Sequence, residues 1–302
     1  MQTKLPATTF FLLGPTAVGK SDLAVALAER IGGEIVGADA FQIYAGLDVL
    51  GAKPSPELRA RVPHHLIGEI PLGEPFDVAK YLALATTRIA EIAARGRVPI
   101  VCGGNGLYIR ALTHGLADIP PGDAALRAEL EKESLPSLVT RLHTLDPAAQ
   151  VDEKNPRRVI RALEVCLLSG RPFSAHRTEW KAEPEVRGVI LTRPRAELHE
   201  RIAARTEAMF AEGVIAEVAA VTGLGPTASE MLGLREIRAH IAGTMTLAEC
   251  KTAITQSTRQ YAKRQLTWFR RERAYTWFDL AETPDALAAL LRAADCAESG
   301  TR

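Results

Sequence analysis

The run Gly14-Pro15-Thr16-Ala17-Val18-Gly19-Lys20-Ser21 fills every position of the G-x-x-x-x-G-K-[ST] pattern, and the apolar stretch Thr9-Phe-Phe-Leu-Leu13 leads straight into it. A buried strand ending in this loop surrounds an anion with backbone N–H groups, and the helix that follows aims its positive end at the same place. Ser21-Asp-Leu-Ala-Val-Ala-Leu-Ala-Glu-Arg30 supplies the helix and Gly32-Gly33 its stop. In such a loop Lys20 reaches the outer phosphates and the Ser21 hydroxyl takes a place on Mg²⁺. Gly14, Pro15, Thr16, Ala17, Val18, Gly19, Lys20 and Ser21 are therefore the expected diphosphate- or nucleotide-binding residues, with the Thr16 hydroxyl a further donor. The loop alone names neither the ligand nor the reaction.

The pattern continues as alternating strands and helices. Glu34-Ile-Val-Gly-Ala38 is a short apolar run ending at Asp39; a helical pattern from about Asp77 to Arg95 stops at Gly96; Val98-Pro-Ile-Val-Cys102 then runs into Gly103-Gly104-Asn105. This alternation predicts a P-loop NTPase-like α/β fold, a parallel sheet flanked by helices. Ligands of such sheets collect at the carboxyl ends of strands, so Ser21, Asp39 and Gly103-Gly104-Asn105 are expected to share one crevice. From Pro120-Pro121-Gly122 to about Pro184 the sequence is helical and charge-rich, whereas Val186 to Thr192 and Tyr275 to Asp279 return to strand patterning. The expected organisation is a catalytic core of residues 1–119 and 186–302 with a helical insertion at 120–185. Covering helices of an ordinary core are the other reading of that stretch. Cys296 to Arg302 reads as a frayed tail.

Composition excludes several classes. With a formal net charge of +1 over 302 residues the chain is not a globally basic nucleic-acid binder, although a local basic face is compatible. Cys102, Cys166, Cys250 and Cys296 lie far apart without C-x-x-C spacing, which fits a reducing cytoplasm and gives no sign of structural zinc. Nothing resembles a signal peptide, and no apolar run approaches the ~18 residues that span a bilayer. A cytoplasmic monomer without membrane contact is expected.

Two stretches could supply the basic face. Arg157, Arg158 and Arg161 fall within one helical turn, with Ile160 and Leu163 facing the other way. Between Arg259 and Arg273, Arg259, Lys263 and Arg270 share a helical face, and Trp268-Phe269 sit among them. Phosphate-backbone binding with aromatic stacking is one reading, and a solvated helix face over core aromatics the other.

Gly14 to Ser21, Asp39-Ala-Phe-Gln-Ile-Tyr-Ala-Gly-Leu-Asp48, Ala52-Lys-Pro54, Pro63-His-His-Leu-Ile67, Gly103-Gly-Asn-Gly-Leu-Tyr-Ile109, Arg157 to Glu164 and Thr258 to Arg270 together resemble tRNA dimethylallyltransferases of the bacterial type, in the family's order and over nearly the whole chain. The resemblance implies transfer of a dimethylallyl group from dimethylallyl diphosphate to N6 of the adenosine 3′ to the anticodon, with Asp39 as general base. It also implies catalytic roles for Lys20, Thr16, Asn105 and Arg235, the last as a cation near the diphosphate. Contact with the tRNA anticodon stem-loop is expected from Asp39, Ala40, Phe41, Gln42, Asn105, Arg127, Arg157, Arg158, Val159, Ile160, Arg161, Lys263 and Arg270. Gln42 suits the adenine edge, and the adenine must leave its stack to be reached. His64-His65 read as a structural or hydrogen-bonding pair rather than a metal site.

The chain departs from the family's usual pattern at three places. Ala40 stands for a serine, Asn105 for a threonine and Leu234 for a tyrosine, while Lys20, Ser21 and Asp39 are retained. An adenylate isopentenyltransferase, a P-loop kinase of small metabolites and a catalytically idle RNA-binding protein remain as alternatives.

Overall fold

The computed structural model describes residues 5–176 and 185–295; the expected tail at Cys296 to Arg302 lies outside them, as does the end of the helical stretch towards Pro184. In chain order the elements are β1 (Phe10–Leu13), α1 (Lys20–Ile31), β2 (Gly33–Ala38), α2 (Pro56–Arg61), β3 (His64–His65), α3 (Val78–Ala94), β4 (Val98–Gly103) and α4 (Gly106–His114). Then follow α5 (Ala124–Leu130), α6 (Leu135–Leu145), α7 (Pro156–Ser169), β5 (Arg187–Thr192), α8 (Arg195–Ala211), α9 (Val214–Ala219), α10 (Leu234–Ile241), α11 (Leu247–Phe269), β6 (Thr276–Asp279) and α12 (Ala286–Asp295).

All six strands are parallel, in the order β3-β2-β4-β1-β5-β6. Because side chains alternate across a strand, β1 feeds two cores. Phe11 and Leu13 join Val36, Val101, Tyr81 and Ile89 on one face, whereas Phe10 and Leu12 join Val25, Ile35, Ile100 and Ile202 on the other. The helices start and stop where local chemistry dictates. Asp77 accepts the Ala79 and Lys80 amides to open α3, and α1 ends on Gly32 at φ +65°.

The chain divides into two units, Met1–Gly115 with Glu183–Arg302, and Leu116–Ala182. The second unit begins a few residues before the Pro120 expected from the sequence. The reason is local: α4 ends at Gly115, whose φ of +79° turns the chain out of the helix. Within Leu116–Ala182, α5, α6 and α7 close on their own core of Leu130, Leu138, Leu142, Val159, Ile160 and Leu163.

Glu164 organises this unit. Its carboxylate is fully buried and accepts from the Asp123 amide (2.6 Å), Arg127 (2.9 Å) and Arg161 (2.6 Å). Burial raises its pKa, but Arg161, Arg127 and the Asp123 amide outweigh that and hold the group below its ordinary value. Its contribution to stability is therefore present above the unfolded carboxylate value and fades as the pH drops through the lower, folded one. Glu164→Ala in the full chain should cost about 2–3 kcal/mol, since both arginines retain some access to water while the Asp123 amide and the two guanidinium groups lose a shared acceptor. Hydrogen exchange checks this: amides of 116–176 should exchange faster, and those of β1 and α1 should not change.

Candidate active site

Three parallel strands end in a row. Leu13 of β1 and Ala38 of β2 both pair with Gly103 of β4, and the Asn105 amide donates to the Ala38 carbonyl (3.2 Å). The residues just beyond these ends, Gly14 to Gly19, Asp39 and Gly104-Asn105, are thereby brought together, as the strand pattern implied. Ala17 (φ +64°) and Gly19 (φ +105°) take left-handed conformations that curl the loop, and α1 starts at Lys20.

Lys20 is enclosed. Its Nζ donates to the carbonyls of Gly14 (2.9 Å) and Pro15 (2.8 Å). Burial pulls the ammonium down to about 8; the charge of Asp39 opposes that shift and Arg205 reinforces it. Asp39 has one fixed oxygen, as Oδ1 accepts the amides of Phe41 (2.9 Å) and Gln42 (3.3 Å). Oδ2 accepts none of these bonds.

A cavity of about 290 Å³ opens beside these groups. Its lining combines polar side chains, among them Thr16, Asp39, Gln42, Arg205, Thr258 and Tyr261, with apolar ones such as Met209, Met231 and Ile254. Gln42 donates its amide hydrogens to the carbonyls of Gly51 (3.3 Å) and Ala52 (2.8 Å), so its Oε1 is the free hydrogen-bonding atom. Phe41 lines the cavity and Ala40 packs against the core under α3. Asn105 caps α4, its Oδ1 accepting from Leu107 (3.1 Å) and Tyr108 (3.3 Å), which leaves its NH₂ to donate.

One long helix joins these parts. Gln265 of α11 is buried, accepts the Thr16 amide (2.8 Å) and donates to the Gly104 carbonyl (3.0 Å). The approach is close enough that a Cβ at Gly104 would lie 2.3 Å from Gln265 Nε2, and one at Gly106 would lie 2.2 Å from the Trp268 ring. Both positions therefore require glycine.

Several sequence expectations need correction. Arg235 does not line the cavity: its side chain is 90% exposed and pairs with the adjacent Glu236 (2.9 Å) at the start of α10. The cation beside Asp39 is Arg205 of α8, lowered by burial and supported by the Asp39 charge. Val159 and Ile160 cannot offer side chains to RNA, because both are buried in the core of their helical unit. Arg127 and Arg161 are committed to Glu164, whereas Arg157 and Arg158 are exposed. On α11, Lys263 and Arg270 are exposed, Arg259 is half-buried, and Phe269 is a core residue. Leu234, in the place of the family's tyrosine, is buried against Leu50 and Ile254. His65 bonds Glu34 (2.7 Å) and His64 the Val62 carbonyl (2.8 Å). Among the described residues no three His, Cys, Asp or Glu side chains group as a metal site.

Arg205, Gln265 and Tyr261 were not anticipated. Arg201 and Arg205, spaced by one turn of a helix, were the available signal for the first; Tyr261 and Gln265 lie within the matching run Thr258 to Arg270, which marks the segment but not the side chains that face inwards.

The fold and the site define a P-loop α/β protein with a carboxylate set beside its anion loop. The chain belongs to the IPP transferase family, whose pattern matches residues 42–272, and the isopentenyl transferase pattern matches residues 7–62. The tRNA dimethylallyltransferase of Geobacter metallireducens is 46% identical over 279 residues, 88% of this chain and 90% of that protein. That of Akkermansia muciniphila is 44% identical over 266 residues, 87% of this chain and 90% of its own. The crystal structure of the tRNA isopentenylpyrophosphate transferase from Bacillus halodurans matches with a TM-score of 0.68 at 35% identity, covering 97% of this chain and all of that one. A eukaryotic dimethylallyltransferase shares the fold, with a TM-score of 0.80 at 24% identity over 96% of this chain and 78% of its own.

The lowered Lys20 value fixes a pH dependence. An anion in the loop favours the ammonium form, so affinity is full below about 8 and weakens as the pH rises past it, by up to about tenfold per unit. Calorimetric titration of inorganic diphosphate from pH 6.5 to 10 should show this break in the wild type. It should be missing in Lys20→Met, whose remaining pH dependence is that of the ligand.

Proposed function

We infer that this chain is a tRNA dimethylallyltransferase: it moves a dimethylallyl group from dimethylallyl diphosphate to N6 of the adenosine next to the anticodon on its 3′ side. The observation that carries the reading is the placement of Asp39 and the Lys20 loop at neighbouring strand ends, beside a cavity lined by both polar and apolar side chains. A prenyl diphosphate needs this combination, with an anion loop for the diphosphate and apolar wall for the five-carbon chain. The bond from the allylic carbon to the diphosphate oxygen breaks, and a bond from that carbon to N6 forms. Negative charge collects on the leaving diphosphate and positive charge on the allylic carbon.

Each residue then has a task. Lys20 exchanges its two carbonyl acceptors for phosphate oxygens, and Thr16 and the loop amides hold the same anion. The Ser21 hydroxyl, in the first turn of α1, fits one place on Mg²⁺; the lack of a protein carboxylate cage among the described residues suits an ion that keeps waters and shares substrate phosphates. When bound there, Mg²⁺ neutralises charge on the diphosphate. Asp39 Oδ2 takes the N6 proton, and Gln42 Oε1 accepts the other N6–H of a flipped adenine. Arg205 brings a positive charge beside Asp39 in the same cavity. Arg157, Arg158, Lys263 and Arg270 meet tRNA phosphates, and Asn105 the anticodon loop. Such an enzyme works where tRNA is, in the cytoplasm.

Incubation with labelled dimethylallyl diphosphate tests the reading against the adenylate-prenylating one. Label should enter bulk tRNA and not AMP; the reverse would identify a nucleotide-prenylating enzyme, and label in neither would remove the transferase assignment.

Asp39→Asn keeps the size and both amide contacts but cannot accept a proton. Single-turnover transfer should slow by about 10²–10⁴-fold with little change in tRNA affinity. Collapse of tRNA binding with chemistry intact would make Asp39 a recognition residue.

The arginines of α7 separate by burial. Arg158→Ala, at an exposed position, should weaken tRNA binding evenly across sequences and reduce the salt slope by about one, with an unchanged melting temperature. Arg161→Ala should lower the melting temperature, because it strips the buried Glu164 of a partner. Filter binding at several salt concentrations, beside thermal melts, checks both.

A further inference from the structure

The curl of the anion loop is held from outside by two arginines. Arg201 of α8 donates Nε–H to the Ala17 carbonyl (2.8 Å), and Arg193, between β5 and α8, donates Nε–H to the Val18 carbonyl (2.9 Å). Ala17 is one of the few non-glycine residues in the left-handed region, so this peptide orientation needs support from its surroundings. Val18 is the fixed point on the inner side, its side chain buried against Leu12 and Leu191. A trans peptide sets its N–H opposite its C=O. With the Val18 carbonyl drawn to Arg193, the Gly19 N–H faces away from Arg193. Arg193 is itself positioned by Glu197, one turn into α8, and the Nη2 atoms of Arg201 and Arg193 come within 3.6 and 3.9 Å of where a Cβ on Gly19 would sit.

We propose that Arg193 and Arg201 are positioning residues for the diphosphate loop: through Nε, Arg201 holds the Ala17 carbonyl and with it the left-handed turn in which the Val18 amide bonds back to Pro15, and Arg193 holds the Val18 carbonyl and so turns the Gly19 amide towards the leaving group. The proposal rests on the assignment of this loop to the diphosphate. It assigns the work to a hydrogen bond from one atom rather than to the guanidinium charge, and side-chain chemistry separates the two. Counted from Cα, glutamine places its amide nitrogen where arginine has Nε, so it keeps the donor and drops the charge. Lysine keeps a charge one atom further out and has carbon at the Nε place. Methionine has carbon there and no charge.

The experiment measures inorganic diphosphate affinity, tRNA affinity and melting temperature for three paired variants of the full chain. The Met pair (Arg193→Met with Arg201→Met) should bind diphosphate about tenfold or more weakly, as expected for two lost hydrogen bonds at a net ~1 kcal/mol each. Its tRNA affinity should be unchanged. The Gln pair should return to within about threefold of the wild type, and the Lys pair should stay as weak as the Met pair. Rescue by Lys, rescue by neither, or wild-type affinity in the Met pair would each overturn the proposal. A fall in melting temperature with unchanged diphosphate affinity would reduce both arginines to structural contacts and overturn it too. Should the Met pair fail to fold, the same series at Arg193 alone gives the same discrimination with smaller shifts. If the wild type itself shows no saturable diphosphate binding, the loop assignment falls first and the brace with it.

Discussion

The in-register parallel pairing of β2, β4 and β1 is the constraint on which the site depends. Leu13, Gly103 and Ala38 stand side by side at their strand ends, and each strand then releases one piece of chemistry: the anion loop, the Gly-Gly-Asn turn, and Asp39. The pairing is tight enough to dictate composition. A Cβ at Gly103 would fall 2.2 Å from the Ala38 carbonyl oxygen, so a larger residue there would push apart the strands that set Asp39 against the loop. A one-residue slip of β1 against β4 would also exchange the faces of Phe10 and Phe11 and disrupt both cores at once. Hydrophobic burial and catalytic geometry are fixed by the same register.

The cations of the site have partners before any substrate arrives. Lys20 and Arg205 lie close to the Asp39 carboxylate, and two backbone carbonyls accept from the Lys20 ammonium. An enclosed ammonium held only by neutral carbonyls remains costly, which is why its pKa falls. An anion bound there would relieve that cost. The carboxylate plays the opposite part. Oδ1 of Asp39 is fixed by two amides, and the side chain lines the cavity with Arg205 nearby and no partner side chain on Oδ2.

What the sequence disclosed, and what it did not, follows from the range of the interactions. The loop, its strand and its helix were legible because glycine conformations, N-terminal amides and a helical run are local chemistry. Asn105 and Asp77 could be placed at strand or helix boundaries for the same reason, and both cap helices. Arg205 and Gln265 could not be placed, since each works through an α-helix packed over the sheet and nothing in neighbouring residues marks the side chain that faces inwards. Arg235 illustrates the reverse. It sits among matching residues, yet Leu234 and Ile237 are the buried face of α10, and that turns Arg235 outwards. The pair of histidines takes the hydrogen-bonding role expected of it, His65 being held by a carboxylate 31 residues earlier on the adjacent strand.

The helical unit shows why a basic cluster cannot be read as an RNA face residue by residue. Its α7 presents Arg157, Arg158 and Arg161 within one turn, but burial of Val159, Ile160 and Leu163 fixes how the helix is rotated. That rotation brings Arg161 back towards Glu164 and the Pro120 carbonyl (2.6 Å), while Arg158 is left in solvent. An arginine with a buried carboxylate and a carbonyl to satisfy has fewer donors for a phosphate, and losing it removes a support as well as a charge. Arg158 contributes charge with all its donors available. The same distinction holds on α11, where Lys263 and Arg270 are exposed and the Arg259 guanidinium reaches back only to the His199 carbonyl at 3.5 Å, with a buried Nε that has no partner. A cation's value to an RNA surface is set by what the protein interior already asks of it.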